Sequence, residues 1–275
     1  MNTSAVLRLQ DLTFTYEGAP APAIAGVESN LAAGQVVSVI SGQGCGKTTL
    51  LRAIAGALGS IYAGTLLGSV VLESAPDGPR RSLTGDDVSS FFDNYVQVTL
   101  SAESVAEEIG LPLLALGIPE EERARMAARA AADLRIAHLL DRATTALSGG
   151  EEKLVGLAAA FCAPAAVLVL DEPFEQLDVG HLAAVIKAIK SRARRGGLVV
   201  VATAALDVAL NIADAVLVYT GTRWETHASP SYQLLAESNI APGASQVVAF
   251  LTEAAGARLA DIHSFRDAVA WPSRA

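Results

Sequence analysis

The chain has 275 residues, room for one large α/β domain or for one domain with a smaller appendage. Apolar residues make up 51% and mean hydropathy is +0.38, so an ample core is expected; aromatics at 5% leave it mostly Ala, Val and Leu. A net charge of −9 argues against general nucleic-acid binding, and two cysteines, Cys45 and Cys162, form no disulfide framework and fit a reducing cytosol.

The first residues lack the basic-then-apolar pattern of a signal region, and no run reaches a membrane span. The longest apolar stretch, Leu154 to Leu170, contains Pro164 and reads as a helix end, a turn and a buried strand. The expectation is a cytosolic protein that docks on a membrane protein.

Residues 6–16 alternate as a strand, and the Pro/Ala-rich stretch Gly18 to Ala23 reads as a loop. A second strand is expected at Val27 to Leu31. Antiparallel strands here would make a small β-subdomain over a nucleotide base, with Tyr16 placed to stack on it. Next comes VVSVISGQGCGKTTLLRAIAG, Val36 to Gly56. Its β-branched start reads as a buried strand, followed by Ser41, Gly42, Gln43, Gly44, Cys45 and Gly46, then Lys47, Thr48 and Thr49 opening a helix. Glycines let backbone N–H groups turn inward, and the new helix aims its positive end at an anion. Lys47 would reach the β- and γ-phosphates, and the Thr48 hydroxyl would hold Mg²⁺. The usual G-x-x-x-x-G-K-[ST] pattern has glycine where this chain has Ser41.

Leu66, Val70 and Leu72 point to a strand, Ala75 to Arg81 to a turn, and Phe91 to Val98 to another extended piece. From Ser101 the pattern is helical, with segments expected at Glu103 to Leu116 and Glu120 to Leu140. Together they read as a helical subdomain inserted in an α/β core. Ser148, Gly149, Gly150 and Glu151, in the run LSGGE, then form a second anion site at a helix N-terminus. The continuous apolar strand VLVLDE delivers Asp171 and Glu172 at its C-terminal edge, where α/β proteins place ligands. Asp171 would hold Mg²⁺ through water and Glu172 would orient and deprotonate an attacking water.

A basic-ended helix is expected from Val179 to Arg195, its cluster read as a solvated face complementing the helix dipole. A strand at Leu198 to Thr203, a helix at Leu206 to Ile212 and a strand at Ala215 to Tyr219 would complete the core. Residues 221–275 read as an appendage with weak helical patterns, His263 and Trp271 being packing or interface residues.

Tyr16, the phosphate loop, LSGGE and the Asp171–Glu172 strand together resemble the ATPase subunit of an ATP-binding cassette (ABC) transporter over residues 5–220. The resemblance implies a P-loop NTPase α/β core with an N-terminal antiparallel β-subdomain, and a helical subdomain at about 101–155, within an ATPase domain at 1–220. Residues 221–275 would then be a C-terminal extension at a dimer interface. It also implies ATP and Mg²⁺ as cofactors, and a head-to-tail dimer in which Lys47, Thr48, Asp171 and Glu172 face another subunit's LSGGE. Lys47, Asp171 and Glu172 would be catalytic, with hydrolysis driving a transmembrane partner from the cytoplasmic face. Asp178 resembles the loop aspartate that couples the two sites. The stretch from Phe91 to Glu122, the run LDEPFEQLD and the C-terminal extension resemble energy-coupling-factor importers of vitamins or transition metals.

Three positions depart from the family. Besides Ser41, the glutamine that senses Mg²⁺ is replaced by Asp93, which could still reach Mg²⁺ through water, with Gln97 as the competing alignment, and the histidine after the Val199–Thr203 strand is replaced by Ala204. Losing a group that stabilises transition-state charge lowers turnover by about two or more orders of magnitude. The expectation is therefore a site that binds ATP well and hydrolyses it slowly, paired with a non-identical ATPase subunit. A non-transport ABC protein acting on ribosomes or DNA, and a catalytically idle regulatory subunit, are the rival readings. Because Cys45 sits inside the phosphate loop, its alkylation is expected to block nucleotide binding; an ATP affinity unchanged by thiol labelling refutes this.

Overall fold

A computed structural model describes residues 5–42, 44–73, 78–93 and 100–228. The chain opens with β1 (Val6–Tyr16) and β2 (Ile24–Ala32), then enters the buried strand β3 (Val36–Ile40) and helix α1 (Lys47–Ile54). Strands β4 (Gly64–Glu73) and β5 (Arg80–Ser82) follow, and β6 (Val88–Phe92) returns to the interior. Helices α2 (Val105–Ala115), α3 (Glu120–Asp133) and α4 (Gly149–Cys162) come next. The remainder alternates: β7 (Val167–Asp171), α5 (Val179–Arg194), β8 (Leu198–Ala202), α6 (Leu206–Ile212), β9 (Ala215–Tyr219) and β10 (Trp224–His227).

Two sheets result. One is antiparallel in the order β2-β1-β4-β5; the other runs β10-β9-β3-β8-β7-β6, parallel throughout except for β10. This is the expected α/β core with an antiparallel β-subdomain. Every residue of β3, β7 and β8 is buried, because both faces of the central sheet are covered. Alternate residues serve alternate cores. Leu168, Leu170, Val199 and Val201 pack among the helices, while Val167, Val169, Val200 and Ala202 face α1 and the first sheet.

Several boundaries differ from the sequence expectation. The strand expected from Phe91 begins at Val88; residues 94–99, including Gln97, lie outside the described residues, as do 229–275 with His263 and Trp271. The second helix stops at Asp133 instead of reaching Leu140. Arg135 adopts a left-handed φ of 64°, and the break turns Leu134, Ile136 and Leu139 together into the helical core. The strand β10 had no counterpart in the sequence reading. Its Trp224 is buried against Tyr219, and Thr226 hydrogen-bonds Ser29 of β2 at 2.8 Å, so tertiary contacts make a strand of a short, weakly patterned run. Capping boxes open both α2 (Ser104 with Glu107) and α4 (Ser148 with Glu151). Among the described residues, no helix is long and apolar enough to cross a membrane.

Candidate nucleotide site

Strand order assembles the site. Because β8 lies between β3 and β7, the three loops leaving their C-terminal ends are neighbours. The loop after β3 reaches α1 through left-handed turns at Gly44 (φ 73°) and Gly46 (φ 89°). A Cβ at Gly46 would lie 2.3 Å from the Ala23 carbonyl oxygen, so the β-subdomain's first loop admits only glycine there. Helix α1 starts with no side-chain cap and no acidic residue in its first turn. Its first N–H groups therefore remain available to an anion.

Lys47 folds back over this loop, donating to the carbonyls of Ser41 (3.0 Å) and Gly42 (3.4 Å). Ser41 is buried and its hydroxyl donates to the Gly42 carbonyl at 3.0 Å, so the serine is accommodated inside the loop without blocking its mouth. Cys45 is half-buried, and Gln43 lies outside the described residues. Thr48 Oγ1 donates to Asp171 Oδ2 at 2.7 Å, bringing a hydroxyl and a buried carboxylate together across 123 positions of sequence. Burial pushes the Asp171 carboxyl above its ordinary range, against the Thr48 hydrogen bond and the charges of Arg52 and Lys47; the Asp93 carboxylate pushes it further up. One hydroxyl and one carboxylate beside an open anion cradle fit Mg²⁺, which takes one or two carboxylates and keeps waters and phosphate oxygens.

Glu172 follows directly, with φ 48° and its N–H on the Ala202 carbonyl at 2.8 Å. The turn ends β7 and aims the carboxylate sideways at the loop after β8. There Oε2 accepts from the Ala204 N–H at 2.9 Å, and the carboxylate also accepts from the Thr203 hydroxyl. Burial raises the Glu172 pKa, and these two bonds oppose the rise. The position expected to carry a histidine thus contributes its backbone instead.

Asp93 has a partner that the sequence reading did not weigh. Its Oδ1 lies 2.8 Å from Nζ of Lys153 on α4. The side chains are 30% and 3% exposed, and among the described residues the ammonium makes no good hydrogen bond. Asp93 is therefore committed to α4 here while still acting electrostatically on Asp171. Lys153 was legible in principle, since it shares a helical face with the buried Leu157 and Ala160 at i+4 and i+7.

The remaining candidates stand apart from this cluster. Ser148 and Gly149 are exposed, and the Ser148 hydroxyl is bonded to Glu151 Oε2 at 2.8 Å. Arg142 holds the other Glu151 oxygen at 2.9 Å, and hydrogen bonds from Ser148 hold that carboxyl below its usual range. None of Ser148, Gly149, Gly150 or Glu151 bonds to Lys47, Thr48, Asp171 or Glu172. Tyr16 turns its hydroxyl to Thr49 (3.1 Å) and Arg52 (3.1 Å), with its ring edge-on to Phe14 and Tyr62. Thr49 is buried in the same contact. Asp178 caps α5 through the His181 N–H at 2.9 Å and meets His181 Nδ1 at 2.6 Å.

Two measurements follow from this geometry. Removing Asp93 strands a buried ammonium, whereas removing Lys153 strands a carboxylate that water reaches. Asp93→Ala is thus expected to cost about 3 kcal/mol and Lys153→Met less than about 1 kcal/mol in denaturant unfolding; equal costs overturn the assignment. Glu172 ionises at an ordinary value of 4.5 when unfolded and higher when folded. The unfolded chain loses that proton first, so stability falls as pH rises through the folded value and the cost is complete above it. Glu172→Gln removes this cost, so its melting temperature should exceed wild type at neutral pH and match it at acid pH; no difference between the two pH values overturns the assignment.

Comparison with known proteins agrees with the geometry. The family described as ABC transporter matches residues 24–175. A putative ABC transporter ATP-binding protein of Treponema denticola is 26% identical over 214 residues, 77% of this chain and 43% of that protein. The sn-glycerol-3-phosphate import ATP-binding protein UgpC of Rhizobium meliloti is 33% identical over 228 residues, 82% of this chain and 62% of that protein. The chain thus spans less than two thirds of these curated relatives. Among solved structures, cbiO1 of Clostridium perfringens, part of the transporter complex cbiONQ, superposes with a TM-score of 0.68 at 23% identity, covering 94% of this chain and all of that one. The family match spans more than half of the chain and covers the phosphate loop, LSGGE and the Asp171–Glu172 strand: the chain belongs to the ABC transporter family.

Proposed function

We propose that this chain is the ATP-binding and ATP-hydrolysing subunit of an ABC transporter, peripheral to the cytoplasmic face of the membrane. The Thr48–Asp171 contact beside Glu172 carries the reading, because it puts a metal-type ligand pair and a general base at the mouth of one phosphate cradle. Lys47 would exchange its carbonyl partners for the β- and γ-phosphates. Mg²⁺, held by Thr48 and Asp171, would neutralise charge on those phosphates. Glu172, with its proton affinity raised by burial, is suited to take a proton from the attacking water. The exposure of Ser148 and Gly149 supports a head-to-tail dimer in which LSGGE completes another subunit's site.

The finer reading is import of the energy-coupling-factor type, for a vitamin or metal ion. The stretch from Phe91 to Glu122 supports the type, and the import role in UgpC's name supports the direction. The domain reading is an ATPase domain at 1–220 with its helical unit at about 101–155, and a dimer-interface extension at 221–275. This chain's own site is slow and its partner ATPase non-identical: Ala204 offers Glu172 only a backbone N–H, and Asp93 is tied to Lys153. The test is ATPase turnover of the purified chain. Slow hydrolysis with retained ATP binding is expected, with an increase of about tenfold or more for Ala204→His and loss of the residual rate for Glu172→Gln. Brisk wild-type turnover overturns the slow site; absent ATP binding overturns the function.

A further inference from the structure

A cavity of about 500 Å³ lies between α3, the end of α4 and α5, well away from the phosphate loop. Its lining includes Arg125 and Arg129 from α3, Lys187 and Arg192 from α5 and Arg195 at the α5 C-cap, against one carboxylate, Asp133. Apolar side chains, Met126, Leu134 and Phe161, line it as well. In a chain with net charge −9, this concentration of cations runs against the overall balance.

A solvated face serving the α5 dipole does not account for it. Arg125 and Arg129 are spaced i,i+4 within α3, a like-charge pairing that weakens a helix, and the last turn of α3 holds no basic residue. Lys187 and Ser191 on α5, with Arg195 at its C-cap, line the cavity from the other side. Among the described residues, only Arg125 has a carboxylate partner, Glu122 at 3.5 Å. Arg195 donates to the Ser191 hydroxyl at 2.9 Å, and Arg192 turns inward to the Ala165 carbonyl. Burial, with the like charge of Arg195, lowers the pKa of Arg192. Cations converge here from two helices with few counter-charges, an arrangement that an anion bound among them would stabilise.

We propose that this cavity binds a small amphipathic organic anion, whose carboxylate or phosphate meets Arg129, Lys187, Arg192 and Arg195 while its apolar body rests on Met126, Leu134 and Phe161. Guanidinium forks suit such head groups, and the volume suits a small ligand. The site is separate from the nucleotide cradle. Helix α4 begins at LSGGE and its 14 residues span about 21 Å before reaching the cavity at Phe161 and Cys162. Helix α5 likewise begins at its Asp178 cap and meets the cavity with its C-terminal half.

The experiment titrates the full chain with 8-anilinonaphthalene-1-sulfonate, followed by fluorescence, first without nucleotide and then with saturating Mg-ATP added. Saturable binding is expected, displaced by decanoate but not by equimolar pyrophosphate. It should weaken at least tenfold in the exposed-site double variant Arg129→Glu/Lys187→Glu. Circular-dichroism melts check that this variant folds; if it does not, Arg195→Glu alone takes its place with the same expectation. Unchanged binding in the folded variant, displacement by Mg-ATP, or displacement by pyrophosphate equal to that by decanoate each overturns the proposal.

Discussion

The hydrogen bond from Thr48 to Asp171 is the contact on which the rest of the site depends. It ties the first turn of α1 to the end of β7, and it holds only because β8 spaces β3 and β7 by one strand. A buried carboxylate without a donor would be expensive, and Asp171 already titrates above its ordinary range. The Thr48 hydroxyl therefore stabilises the carboxylate while keeping it where a cation would be shared with phosphate oxygens. The same strand spacing sets Glu172 beside the loop at Thr203 and Ala204, so the proposed metal ligand Asp171 and the proposed base Glu172 come from one turn of chain.

Electrostatics link this edge to the helical layer. Asp93 stands between Asp171, whose pKa it raises, and Lys153 on α4, whose ammonium it pairs. The helix that begins with LSGGE is thus coupled to the end of β6 by a nearly buried charge. Such a pair contributes little net stability over an apolar pair, but losing one member is costly, which favours keeping both. The opposite end of α4 closes on a cavity of converging cations, so a paired charge lies near one end of this helix and a concentration of cations at the other.

Much of the fold was legible because its elements are short, strongly patterned and punctuated. Strands β3, β7 and β8 announce themselves as β-branched or aliphatic runs, and the bounds of β1, β9 and α6 follow from the pattern. The misses have physical causes. The helix expected through Leu140 ends at Asp133 because Arg135 goes left-handed to deliver three aliphatic side chains to one core. The strand β10 forms because Trp224 and Thr226 find partners on Tyr219 and Ser29, which no local window contains.

The sequence by itself determined the chemistry available: a glycine-rich loop with Lys47 and Thr48, two carboxylates ending an apolar strand, and a self-capping LSGGE helix. Those are local facts, fixed by residue type and spacing. Only the tertiary structure decided which groups meet. Strand order put Thr48 against Asp171 and Ala204 against Glu172, and helix packing gave Asp93 to Lys153. Such pairings join residues 32 to 123 positions apart. They depend on sheet order and on desolvation, quantities that exist only once the layers have packed.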